Sequence, residues 1–447
     1  MIVNKIKKVI TNPYLLVDRL IVRKLSAGVL LKILQLNFLN FYLVATSLIQ
    51  SNRYNDLLYL IKHYKFVEDL RLIIDFENKV ESSRMLMQYL IKSNAYKNKR
   101  IDQLEACSKF YTAMGYFNAG WYFRIAWQVA LLKHYKTTKS IKEEIAFEIA
   151  CISRDKYINI AQDYEIELNF NDAIEKSILN FEGNYNESIR YLKQKSKQKQ
   201  KCEHKAYIDE INKNLTSLVK EFEGKEVLLI GPSVFEPDNE INPSEYDYVA
   251  RIGYSGEDSV GAFKEVGTDI SHYKNHKLEN IYNTGKANVL NNLKLMTVSN
   301  LKLDMLEKIK EKNIVYSSFT GPVLLNNEMN AGLEFLSIII EDLELKPTVC
   351  NIDLFTNKTY PRGYISNNYK QNYKKYGWSL DDHTQCRSMA LNHNPIAQFS
   401  FFYFLWRNKK FKADSTLEAL MHNNIEEYIN KLEKIYCPFN QGNPPEN

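Results

Sequence analysis

The sequence predicts an α/β domain built on a mostly parallel sheet covered by helices on both faces, preceded by an all-α helical region. Three observations predict it. From Arg53 to about Leu192, apolar residues recur three and four apart in segments separated by short polar breaks. After residue 220, short apolar runs alternate with helical stretches, as in βαβ units. A length of 447 residues, at roughly 150 per domain, leaves room for more than one such unit.

Residues 1–50 read as basic, membrane-proximal helices. Thr11-Asn12-Pro13 has a polar cap and a Pro suited to a first helical position. Leu16, Val17, Leu20 and Ile21 follow at helical spacing, with Asp18, Arg19, Arg23 and Lys24 on the other side. Two readings stand: a surface helix packed on its own domain, or an interfacial helix on anionic lipid. Ile33 to Ile49 is uncharged but holds Gln35, Asn37 and Asn40 and is short for a span, so a buried or interfacial helix is expected.

Residues 51–192 read as an α-helical domain. Leu57–His63, Ser83–Lys92, Gly120–Lys133, Ile141–Ile152 and Asp172–Asn180 carry the periodic apolar positions. Paired antiparallel helices of a repeat type fit this pattern, although no consensus recurs at a fixed period. Residues 193–220 are expected to be a boundary, because Lys193 to Lys201 alternates Lys with Gln or Ser and offers no apolar face. It reads as an exposed linker or helix surface.

Residues 221–436 carry the α/β pattern. Lys225–Ile230 is an apolar run ending at Gly231-Pro232-Ser233, as a buried parallel strand with a tight turn would be. Further strands are expected at Tyr246–Ile252, Thr268–Tyr273, Leu293–Val298, Asn313–Ser318 and Thr348–Phe355. Helices are expected at Asp304–Glu311, Gly332–Leu343 and Pro395–Arg407. Ser415 with Glu418 reads as a capping box opening a last helix to Tyr436, and the Pro- and Asn-rich 437–447 reads as a disordered tail.

Hydrophobic residues at 45% and charged residues at 25% exclude a largely disordered chain. The net charge of +6 is unevenly placed: residues 1–32 carry +6, residues 190–205 carry +6 and the remainder carries −6. General nucleic-acid binding is therefore not expected. The six cysteines, Cys107, Cys151, Cys202, Cys350, Cys386 and Cys437, are far apart, which suits reduced thiols. With no secretory signal visible, a cytoplasmic location on the inner face of the membrane is expected.

The candidate chemistry lies in an ordered set of elements. Gly231-Pro232-Ser233 is followed by Tyr246 to Ile252, with Asp247, Val249 and Arg251. Ser318 to Pro322, with Thr320-Gly321, is expected to lead into a helix. Asn351 to Phe355, with Asp353, closes a strand, and His393-Asn394-Pro395 opens the next helix. A histidine before a helix start stays neutral more readily and suits a general base, and backbone N–H groups at a helix start suit a phosphate. Asp381-Asp382-His383 invites a metal reading, but adjacent acids in a Ser- and Gly-flanked loop are more often solvated. The chain has no Asp-x-Asp, so metal-independent chemistry is expected.

In this order the elements resemble the CMP-sugar-dependent sialyltransferases, bacterial and animal-like, over residues 224–412. The matching positions are Gly231, Pro232, Ser233, Asp247, Val249, Arg251, Thr320, Gly321, Asp353 and His393. The departures are Gly253 in place of an Asn, Leu229-Ile230 in place of an Asn-Gly, Gln398 where a Glu is common, and Phe355 in place of a phosphate-binding Tyr. The resemblance implies a Rossmann-like glycosyltransferase domain. It implies transfer of sialic acid or a related nonulosonate, or of Kdo, from a CMP-sugar co-substrate to a glycan or glycolipid hydroxyl, with no other cofactor. His393 would be the base. Gly231, Pro232, Ser233, Arg251, Asn275, Thr320, Gly321, Asp353, and Tyr360 or Tyr364 would meet the nucleotide or substrate. The rival expectations are a helical scaffold fused to a degenerate nucleotide-sugar fold, and a transferase using another nucleotide sugar.

Overall fold

The computed structural model describes residues 25–30, 56, 90–92, 94, 96–97, 99, 101–113, 115–134, 137–199, 208–212, 215–233, 241–256, 262–309, 312–319, 322–324, 327–356 and 393–436. The expected helices at residues 11–24, 33–49 and 57–63, most of 83–92, and the tail at 437–447 lie outside them. No helix among the described residues is long and apolar enough to cross a membrane.

Helices come first in the chain: α1 (Ile101–Ala113), α2 (Phe117–Lys133), α3 (Lys139–Ile152), α4 (Arg154–Asp163), α5 (Asp172–Gly183), α6 (Tyr185–Lys199) and α7 (Leu215–Phe222). Thr138 caps α3 by accepting from the Ile141 amide, and Asn171 caps α5 by accepting from Ile174. α2 is apolar almost all round, with Trp121, Tyr122, Phe123 and Ile125 buried, which is the mark of a helix packed on every side. Its buried charge, Arg124, is neutralised in place. The guanidinium forks onto Glu148 of α3 at 2.8 and 2.7 Å, and Gln128 and Tyr157 complete the network.

Of the two readings of the lysine-rich run, exposed linker or helix surface, residues 193–199 are helical and continue α6, but Lys193 and Lys195 are covered and not solvated. Lys193 donates to the Glu341 carbonyl at 2.8 Å and pairs with Asp342 at 3.1 Å. Lys195 is buried against Glu144 and Ser140. Carboxylates distant in sequence supply the counter-charge, which makes burial of these amines tolerable.

The sheet begins with β1 (Val227–Ile230), β2 (Tyr248–Ile252) and β3 (Ile270–Lys274), followed by α8 (Asn275–Asn283) and β4 (Leu295–Ser299). Then come α9 (Leu303–Ile309), β5 (Ile314–Tyr316), the short pair β6 (Pro322–Leu324) and β7 (Asn327–Glu328), α10 (Ala331–Glu341) and β8 (Thr348–Cys350). The chain closes with α11 (Pro395–Arg407), β9 (Lys412–Ala413), α12 (Ser415–Met421) and α13 (Ile425–Tyr436).

Among the described residues, seven strands form one parallel sheet in the order β5-β4-β3-β2-β1-β8-β9. The fold is α/β, as expected. Alternation sorts each strand between two faces. Val227, Leu229, Ala250, Ile270 and Leu295 join the core that holds α10 and α11. Met296, Val298 and Tyr273 turn the other way and pack on α8 and α9. The core on the first side runs on into α2 and α3: Phe147 of α3 meets Phe401 and Phe404 of α11 with ring centroids 6.0 and 6.1 Å apart.

The final expected helix is two helices. Asp414 is the cap of α12, accepting from the Leu417 amide at 2.8 Å, so Ser415 is its first residue and not its cap. Asn424 and Glu427 then exchange amide and side-chain hydrogen bonds at 3.0 and 2.8 Å, a capping box that restarts the chain as α13. α13 returns to α2, where Glu433 accepts both from the amide and from the side chain of Asn118.

Candidate active site

The strand order reverses beside β1. From β1 the chain builds outward through β2, β3, β4 and β5, then crosses back to place β8 on the other side of β1. Such a reversal opens a crevice beyond the carboxyl ends of the two central strands, where open α/β sheets bind ligands. Gly231-Pro232-Ser233 leaves β1 there, and Asn351 to Phe355 leaves β8 there.

The two loops touch backbone to backbone. The Gly231 amide donates to the Cys350 carbonyl at 2.8 Å, and the Ser233 amide to the Asn351 carbonyl at 3.3 Å. A Cβ at position 231 would stand 2.2 Å from the Asn351 oxygen, so only glycine fits. The loop after β8 turns tightly, with φ of 54° at Asn351, 46° at Leu354 and 72° at Phe355. Asp353 shapes it: its carboxylate accepts from the Phe355 amide at 3.2 Å and its carbonyl from the Thr356 amide at 2.9 Å. Asp414 anchors the base of the loop by accepting from the Asn351 amide at 2.8 Å.

His393 arrives at the same edge. It is half-buried and directly precedes Asn394, whose side chain caps α11 by accepting from the Ile396 and Ala397 amides. Tyr428 of α13 fixes this helix start to the β8 loop: its hydroxyl lies 2.8 Å from the Leu354 carbonyl and 3.3 Å from the Pro395 carbonyl. The Gly231-Pro232-Ser233 turn and the Asp353 loop thus touch, and His393 stands two residues before Pro395, which Tyr428 ties to that loop.

Other expected positions are placed differently. Arg251 is buried, and its two terminal nitrogens donate to the Ala262 and Phe263 carbonyls, so the guanidinium holds that turn. Lost hydration pulls its pKa down. Asn275 opens α8, and its side chain accepts from the Lys302 amide at 3.0 Å. Thr320, Gly321, Tyr360, Tyr364 and the Asp381-Asp382-His383 run lie outside the described residues. The helix expected directly after Gly321 is absent: Pro322–Leu324 is a strand paired with Asn327–Glu328. Pro lacks the amide that a ladder needs but suits the first residue of an edge strand. The helix start lies further on, where Asn330 caps α10 by accepting from the Leu333 amide at 2.7 Å. Gly332 in its first turn packs on Ile252 at the end of β2, so this start also faces the carboxyl edge.

A buried charged cluster, outside every motif singled out in the sequence, lies beside that start. Glu334 of α10 lies 3.3 Å from Lys274 and 3.8 Å from the Nε2 of His272, and its second oxygen, Oε1, has no hydrogen-bond partner among the described residues. Lys274 also donates to the Met329 carbonyl at 3.2 Å. His272 stacks on Phe335, with Nδ1 3.0 Å from the Thr297 hydroxyl. Burial alone would raise the Glu334 pKa, but Lys274, His272 and Ser299 overcome it and hold the carboxyl at about 2. The signal was present as two polar residues, His272 and Lys274, at alternate positions of a buried strand. Among the described residues no group of three His, Cys, Asp or Glu side chains is placed to hold a metal ion.

Compared with known proteins, the chain matches no family model, no curated protein and no solved structure.

Proposed function

We propose that this chain is an inverting glycosyltransferase. It moves an acidic sugar, sialic acid or a related nonulosonate, from a CMP-activated donor to a hydroxyl of a cell-surface glycan. The observation that carries the reading is the meeting of the Gly231 turn, the Asp353 loop and the His393 helix start at the strand-order reversal, joined through Tyr428. The nucleotide sits in the crevice beside the Gly231 turn, at the carboxyl edge of the sheet. The start of α10 at Asn330 to Gly332 takes the part that the sequence assigned to Thr320-Gly321.

The chemistry needs one proton acceptor. The neutral imidazole of His393 takes the proton of the acceptor hydroxyl as its oxygen bonds to the anomeric carbon. The bond from that carbon to the CMP phosphate oxygen breaks, and CMP leaves with the electron pair. Position 393 directly precedes Asn394, the cap of α11. The basic residues of 1–32 hold the enzyme at the inner membrane surface, near lipid-linked acceptors.

The test is incubation with a panel of CMP- and UDP-sugars and a glycolipid acceptor, scored for nucleotide release. Release from a CMP-sugar alone is expected. His393→Ala should abolish transfer while CMP binding persists; full activity in that variant removes the proposed base. Failure of wild-type protein to bind CMP or UDP by calorimetry would favour the non-catalytic scaffold.

A further inference from the structure

An open sheet has two edges, and each is a row of backbone donors and acceptors that another strand could extend. Among the described residues the edge strands here are β9 and β5. β9 is two residues long and carries the exposed Lys412, a length and a charge that discourage pairing. β5 has no such charge. Ile314, Val315 and Tyr316 are all residues that favour strands, and all are buried.

The ladder shows which groups of β5 point outward. The Asn313 carbonyl accepts from the Met296 amide at 2.9 Å, and the Ser317 amide donates to the Val298 carbonyl at 2.8 Å. Positions 313, 315 and 317 therefore address β4, and the N–H and C=O of Tyr316, at the alternate position, face away from it. Both are taken by one side chain 104 residues earlier in the chain. The Asn212 Oδ1 accepts from the Tyr316 amide at 3.0 Å, and its Nδ2 donates to the Tyr316 carbonyl at 3.3 Å. A carboxamide offers the same acceptor and donor as a peptide unit, so this one stands where the backbone of a further strand would stand.

Packing holds the carboxamide in place. Residues 208–211 are helical, and Asn212 follows directly. Ile208 is buried and Ile211 half-buried, and both join the core that holds Met305, Leu306, Ile314 and Tyr316. Asp209 and Glu210 on the same turn are exposed. The turn thus grips the sheet with apolar side chains and presents acids to solvent. Being helical, it closes the ladder without offering a new edge.

We propose that residues 208–212 are a strap that closes the β5 edge and prevents the β5 strands of two copies from pairing. β5 lies four strands from β1, about 19 Å, so the strap stands or falls apart from the transferase reading.

The test uses the full chain, read by hydrogen exchange at the Tyr316 amide and by mass from light scattering. In the wild type that amide should be protected; exchange at the rate of a free amide overturns the strap, and this reading needs no variant. Asn212→Ala removes both hydrogen bonds. Its Tyr316 amide should exchange about tenfold faster or more, the loss of roughly one hydrogen bond, and the chain should reach a higher mass than the wild type at equal concentration. Asn212→Asp keeps the acceptor for the Tyr316 amide, leaves the carbonyl without its donor and adds a charge at the edge. It should lose stability yet keep the wild-type mass, which separates edge pairing from aggregation of a loosened fold. If Asn212→Ala keeps the wild-type mass, or Asn212→Asp associates to the same extent, the strap is not what keeps copies apart.

Discussion

The side-chain oxygen of Gln398 accepts the backbone amide of Asn330 at 3.0 Å, joining the first turn of α11 to the cap of α10. Gln398 is fully buried, so water cannot replace it. Gln398→Leu should leave the Asn330 amide unsatisfied and cost about 1–3 kcal/mol. Gln398→Glu keeps an acceptor and should restore much of the contact, because a carboxylate accepts the same N–H. Denaturant unfolding of the two variants checks this; equal stabilities would show that the amide finds another partner.

Gly231 and Gly267 make a matched pair. A methyl at 231 meets the Asn351 carbonyl oxygen at 2.2 Å and the Ile352 side chain at 2.4 Å, whereas at 267 nothing lies within 4 Å. The obstruction at 231 is backbone and cannot rotate away. Gly231→Ala should destabilise by about 2 kcal/mol or more and disturb the crevice, through overpacking. Gly267→Ala should be neutral or stabilising by up to about 1 kcal/mol, through lost unfolded-state freedom. Thermal unfolding of both variants decides it.

The sheet was legible because its evidence is local. Val227 to Ile230 is an uninterrupted apolar run ending in a glycine turn, and Pro395 to Arg407 opens with a cap and a Pro, so both elements lie where the sequence puts them. What the sequence hid was pairing at a distance. Lys195 looks solvated in a charge run until Glu144 of another helix faces it. Glu334 looks like an exposed acid in a helix until Lys274 and His272 meet it from β3. Arg251 looks free for a phosphate until the Ala262 and Phe263 carbonyls claim it. Gly321-Pro322 misled for a different reason: a Pro fits the first residue of a helix and of an edge strand equally well, and only the pairing with β7 decides.

Glu334 gives the chain a defined acid sensitivity. Its carboxyl is held at about 2, below the ordinary 4.5. A group whose folded pKa is depressed contributes stability that is full above the unfolded pKa and is lost as pH falls through the folded one. The contribution should therefore be complete above about pH 5 and fade between there and pH 2. Glu334→Gln cannot titrate and should flatten that part of the stability curve. At neutral pH it should also cost about 3 kcal/mol or more, because Lys274 is left without its buried partner. Urea unfolding of both proteins across pH 3–7 reads the difference, and parallel curves would refute it.

Tyr428 couples the loop after β8, at Leu354, to the start of α11, at Pro395, next to Asp353 and His393 in the chain. Tyr428→Phe deletes one oxygen and keeps the ring that stacks on Phe399 at 4.2 Å. The Leu354 and Pro395 carbonyls lose that donor, at a cost of about 1–2 kcal/mol of stability. A purely structural contact would stop there. If His393 is the base, the loosened helix start also misplaces the imidazole relative to the sugar, and a misplacement near 1 Å costs about 100-fold. The variant should then lower kcat well below wild type with KM for the donor little changed, at a temperature where both proteins are folded. Unchanged kcat beside the lost stability would separate Tyr428 from the chemistry and weaken the place given to His393.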